Sequence, residues 1–212
     1  MLKSRHNLLA VLALAAFAPL AATPSHAQNA KQLLSGSTAV TLNDTLVAGL
    51  TEQGVTITGN APAALVTSDG TTVATFPVVS GGVDLDTLTG VVYHSGGLTF
   101  TSTVGSSVVV TVSQLALVNS IPGQPAQMYG LVVVGGKVYG LYPLFNLTTP
   151  LNLPLTGNSV SLPNINLTLS PQAATLLNDA FGFNGFSSGQ EIGSAALNAP
   201  ATSYIVPKKP VQ

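Results

Sequence analysis

From Thr38 onward, short apolar runs alternate with clusters of Gly, Ser, Asn and Asp, and the turn signals recur about every ten residues. That rhythm predicts antiparallel strands. Thr38 to Leu42, Val55 to Thr58, Ala64 to Val66 and Thr71 to Val79 read as strands, the last closed by Ser80-Gly81-Gly82. In Gly90 to Ser102, two β-prone runs flank Ser95-Gly96-Gly97, which predicts a tight hairpin with His94 at a strand end. Val108 to Val112 is apolar on both alternating faces and is expected in the middle of a sheet. Tyr129 to Tyr142 predicts a second hairpin about Gly135-Gly136, pairing Val134 with Lys137, Val132 with Tyr139 and Tyr129 with Tyr142. Pro150, Pro154 and Pro163 direct the stretch from Phe145 to Asn164 to an edge or a connection between layers. The fold class expected is all-β, an antiparallel β-sandwich with two short helices.

Those helices share one grammar. Asn43 fits an N-cap before Asp44, with Leu46, Val47 and Leu50 on one side and Gly54 as the stop. Ser170 fits an N-cap before Pro171, the favoured first helical residue, and Gly182 follows Phe181 as the stop. Each unit follows a strand, Val40 to Leu42 or Leu167 to Leu169, so the two are expected to be equivalent corners closing opposite ends of a β core. Ile192 to Leu197 suits a last strand.

The first 27 residues have a basic start at Lys3 and Arg5, an apolar run from Leu8 to Leu20 and the small-x-small site Ser25-His26-Ala27. This reads as a secretory signal cleaved near Ala27, too short to remain as a membrane span, and it predicts a secreted or periplasmic protein. The division expected is residues 1–27 signal peptide, 28–37 flexible arm or first edge segment, 38–198 a single β domain and 199–212 a loose tail. Cysteine is absent, so export brings no disulfides. After cleavage four lysines face seven acids and no arginine remains, a net charge of −3. So few cations cannot neutralise several phosphates, which argues against nucleic acid and anionic membrane as partners. The few aromatics argue against an outer-membrane barrel.

Chemistry-bearing residues are scarce. The mature chain has one histidine, His94, beside seven scattered carboxylates. Asp84 and Asp86 would share one face of a strand, as a Ca²⁺ site or a hydrolase's carboxylate pair requires, but no further acid lies near and a turn role is favoured. Ser95 adjoins His94, yet neighbours on a strand point to opposite faces. No catalytic or metal-ligating set is assigned. The expectation is a non-enzyme acting through its surface as an envelope, matrix or adhesion component, with an unknown surface or small apolar ligand as partner, no cofactor, and possible homo-oligomerisation through long apolar strands. The alternative is capture of haem or another apolar ligand near His94 and Tyr93.

That alternative is supported by a resemblance. The run from Leu46 to Val118 is similar to the HtaA-type haem-binding domains of secreted and envelope proteins: it contains Gly54-Val-Thr-Ile-Thr58, Phe76-Pro-Val78 and Gly90-Val-Val-Tyr-His-Ser-Gly-Gly-Leu98, with His94, Gly96 and Leu98 on a His-x-Gly-x-Leu turn. It covers about a third of the chain and implies an all-β fold that binds haem, with iron held by an early tyrosine that the histidine supports. In this chain the early segment, Leu42 to Leu50, holds no tyrosine, and Tyr93 is not at the family's position.

Overall fold

The computed structural model describes residues 30–87, 89–104, 107–119, 125–147, 155–156 and 158–203. The segment expected to be a signal, residues 1–27, and the Lys208-Lys209 tail lie outside them. In chain order the strands are β1 (Ala30–Leu33), β2 (Ser37–Leu42), β3 (Val55–Asn60), β4 (Ala64–Ser68), β5 (Thr71–Asp84), β6 (Gly90–His94), β7 (Gly97–Ser102), β8 (Val108–Asn119), β9 (Ala126–Val134), β10 (Lys137–Leu147), β11 (Leu155–Thr156), β12 (Ser159–Leu169) and β13 (Glu191–Ser203). Helix α1 (Asp44–Glu52) follows β2, and α2 (Pro171–Phe181) follows β12.

The fold is all-β and antiparallel with two short helices, but its strands form one sheet rather than the two layers of a sandwich. The ladder β13-β2-β5-β6-β8-β9-β10-β12 returns to β13, so eight strands close a barrel. The physical reason lies in strands long enough to have different neighbours at their two ends. β5, fourteen residues long, pairs through its first half with β2 and β4 and through its second half with β1 and β6. Ser80-Gly81-Gly82 is therefore not a turn. A Cβ on Gly81 would stand 2.9 Å from the carbonyl oxygen of Val91, so glycine here lets two strands approach closely. Residues 30–33, read from sequence as arm or edge, form β1 between β5 and β13, and β13 runs on to Ser203.

The hairpin expected about Ser95-Gly96-Gly97 is instead a kink. β6 and β7 do not pair with each other; β6 lies against residues 116–119 of β8, and β7 against residues 108–113. Gly96, at φ +80°, passes so close under the β3–β4 turn that a Cβ would collide with the Ala63 backbone nitrogen. The glycines let one edge exchange its neighbour from β5 to β3 without reversing the chain.

The Gly135-Gly136 turn is present, with both residues at positive φ and Val134 opposite Lys137. Beyond it the register slips. A bulge between Val138 and Gly140 places Val132 opposite Gly140 and Tyr142 opposite Gly130, so the expected Val132–Tyr139 and Tyr129–Tyr142 pairs do not form. Pro163 sits at another bulge, between Leu162 and Ile165, which lets β12 carry it and still pair with β13 on both sides of it; Ser159 to Asn164 thus belongs to a barrel strand.

β8 is central, as its apolar sequence predicts, but only one face is dry: Val110 is fully buried while Val109 is 40% exposed. A barrel needs just its inner face apolar. Both helices close the same end of the barrel rather than opposite ends. β2 and β12 flank the start of β13 and run the same way, so Asn43 N–H donates to the Ile192 carbonyl and Leu169 N–H to that of Gln190.

Candidate functional site

The alternation in β2 puts Thr38, Val40 and Leu42 inside. The same rule on β5, β9 and β12 supplies Ala74 and Phe76, Met128 and Val132, and Leu167 and Leu169, while β8 supplies Val110 and, where a bulge between Ser113 and Ala116 shifts the alternation, Leu115. From α1 come Leu46 and Leu50, and from α2 Ala173, Leu176 and Leu177. Together these surround a cavity of about 90 Å³ whose exposed wall is apolar. Leu46, Ile57, Leu98, Phe100, Val112, Tyr142, Phe145 and Leu177 of its lining are only partly buried, and they mark its mouth.

His94 faces this interior and is 4% exposed. Its Nε2 lies 2.7 Å from Thr38 Oγ1 and its Nδ1 3.4 Å from the Leu115 carbonyl oxygen. A carbonyl can only accept, so Nδ1 carries the proton, and Nε2 accepts from the Thr38 hydroxyl. Burial pushes the imidazole down to about 4, against a weaker upward pull from the Leu115 carbonyl. The ring is neutral at neutral pH with both nitrogens engaged.

Tyr93 does not join it. The two are neighbours on β6 and point to opposite faces, leaving Tyr93 49% exposed on the outside. The tyrosine that does reach the cavity is Tyr142 on β10, which sequence reasoning assigned to cross-strand packing. Its placement follows from the bulge at Tyr139, which Gly140 accommodates at φ +84°, and from Gly130 opposite, where a Cβ would stand 2.7 Å from Leu144 Cδ1 in the interior. The only advance signal was that Gly140 could take such a bulge. Tyr129 is bonded to Gln127 at 2.8 Å, and Tyr139 lies under the Lys137 ammonium.

Asp84 takes the turn role: its Oδ1 accepts from the backbone N–H of Asp86 at 2.9 Å and of Thr87 at 3.1 Å. Among the described residues no group of three or more His, Cys, Asp or Glu is placed to hold a metal ion, and no helix is long and apolar enough to cross a membrane.

No protein-family model matches the chain, and no curated protein matches it. Solved structures do. The C-terminal domain of HtaA from Corynebacterium glutamicum matches with a TM-score of 0.59 at 16% identity, covering 81% of this chain and 99% of that one. The N-terminal domain of the same protein gives 0.54 at 14% identity, covering 80% and 99%. Heme binding protein HtaB from the same organism gives 0.53 at 11% identity, covering 82% and 95%. The chain resembles HtaA-type domains in fold over most of its length, well beyond the third on which the sequence motifs fall.

Proposed function

We propose that this chain is a non-catalytic capture domain that holds haem at the helical end of its barrel. The observation that carries the reading is the cavity itself: an apolar hollow lined in part by α1, α2, β3 and β7, with three side chains able to ligate haem iron among its wall residues, His94, Met128 and Tyr142. The likeness in fold to proteins that bind haem favours this over the surface role first expected from composition.

The donor chemistry fits the group. The enclosed volume, about 90 Å³, is well under the roughly 300–1,000 Å³ of pockets that bury an organic ligand. Most of a macrocycle would therefore be held by the residues of the mouth, Leu46, Ile57, Phe100 and Leu177, which would shield it from water. When bound, haem would supply a Lewis-acidic iron, and the chain would contribute a donor side chain, His94, Met128 or Tyr142, and a dry seat. Nothing in this reading requires a reaction, and export by the amino-terminal signal would place the domain where free haem is met.

Titrating the purified mature chain with hemin tests the reading. A saturable Soret shift at one haem per chain is expected. Absence of saturation sinks it and leaves the surface role, which one observation favours: Val138, Tyr139 and Leu141 lie exposed together on the outer side of β10.

A further inference from the structure

Resting on the haem-capture reading, we infer that Tyr142, and not His94, is the residue that meets the iron. The three candidate donors differ in what already occupies them. His94 is fixed by Thr38 and Leu115, so using either nitrogen would break a buried hydrogen bond. The partner His94 holds in this chain is a threonine hydroxyl, which is no haem ligand. Met128 is 3% exposed and sits deep in the wall. Tyr142 is half-buried, lines the same hollow and makes no hydrogen bond among the described residues, so its phenol oxygen is available.

The fold presents Tyr142 by a local device. Gly130 stands opposite it on β9, and the bulge at Tyr139 sets its register. Of the other tyrosines described, Tyr93 is on the outside, Tyr129 is tied to Gln127 and Tyr139 is stacked under Lys137. On binding ferric haem the phenol of Tyr142 would release its proton to solvent and its oxygen would hold the iron, with no change in oxidation state. Hemin affinity should accordingly rise with pH.

The test compares wild type, Tyr142→Phe and His94→Gln, each titrated with hemin and with metal-free protoporphyrin IX. Tyr142→Phe keeps the ring and the packing. It is expected to lower hemin affinity by at least about tenfold, the scale on which even outer partners of a metal alter its affinity. It should also abolish the phenolate-to-iron charge-transfer band and the tyrosinate modes in resonance Raman spectra, while leaving metal-free porphyrin binding unchanged. His94→Gln should retain the band. If wild type binds hemin and Tyr142→Phe gives the same spectrum and affinity, or loses both porphyrins alike, the assignment to Tyr142 is overturned while capture stands. If wild type binds neither porphyrin, the haem reading falls and this inference falls with it.

Discussion

The two strand–helix corners at the mouth, β2–α1 and β12–α2, follow the same rule of polar cap, apolar helix and glycine, yet they are held very differently. Ser170 is 1% exposed; its hydroxyl donates to the Pro143 carbonyl at 2.7 Å and accepts from Ala173 N–H at 3.0 Å. Asn43 is only partly buried and makes one capping bond, 3.2 Å long, to Leu46 N–H. α2 buries Ala173, Ala174 and Leu176, whereas α1 buries Leu50 alone. Beyond α2, Asn178 clamps Phe186 by donating to its carbonyl and accepting from its N–H, and Phe181, Phe183 and Phe186 cluster around the exit. One corner is anchored into the barrel and the other rests on it. The difference makes α1 the less anchored side of the mouth.

The largest expected effect comes through a buried polar tie next to the α1 corner, because Thr38, bonded to His94, lies on β2, the strand that leads into α1. His94 is held near 4 in the fold against its ordinary value of 6.5. The unfolded chain therefore takes up the proton first as pH falls, so the stability from keeping the ring neutral is complete above 6.5, erodes between 6.5 and about 4, and levels off below. At about 1.4 kcal/mol for each pH unit of difference, about 3 kcal/mol is at stake. Urea unfolding at pH 7 and pH 4.5 should show a steeper loss for wild type than for His94→Gln. Equal losses would mean that the ring is not buried neutral.

Next in size is the contrast between the caps. Ser170→Ala removes a capping acceptor and leaves the Pro143 carbonyl without its donor, a combined cost of about 2–3 kcal/mol. Asn43→Ala loses a single half-exposed cap, about 0.5–1 kcal/mol. Hydrogen exchange should further report α1 amides opening well before those of α2 in the unmodified chain. Equal protection of the two helices, or equal destabilisation by the two substitutions, would break the comparison.

Local grammar was legible in the sequence, and closure was not. Both helices fall within their capping residues, because a cap acts over three or four positions and needs no tertiary context. The turn at Gly135-Gly136 was legible for the same reason. The barrel, the kink at Gly96 and the shared end of the helices depend on which distant strand lies alongside, and local pattern does not encode that. The same limit governs the site. His94 was found because it is the single histidine beyond the segment expected to be a signal, and period two sets Tyr93 on the opposite face from it. Tyr142 was missed because a bulge at Tyr139 shifts the register by one, and such a slip exchanges the cross-strand partners of every later residue. Glycines mark both turns and close approaches, so Gly81 and Gly96 were read as the commoner of the two.

The smallest expected effect probes whether the looseness of α1 is intrinsic. Gly49 lies inside α1, and a Cβ there would meet nothing within 4 Å, whereas α2 contains no glycine before its cap. Gly49→Ala restricts the unfolded chain and adds no contact, so it should stabilise the protein by about 0.5–1 kcal/mol. The gain should appear chiefly as slower exchange of α1 amides, with α2 unchanged. If α1 must yield before a porphyrin enters, the same variant should bind hemin more slowly while its dissociation rate stays near that of wild type. Faster or unaltered uptake alongside a stiffer α1 would show that the ligand enters past the anchored corner, and the functional meaning drawn from the contrast would reverse.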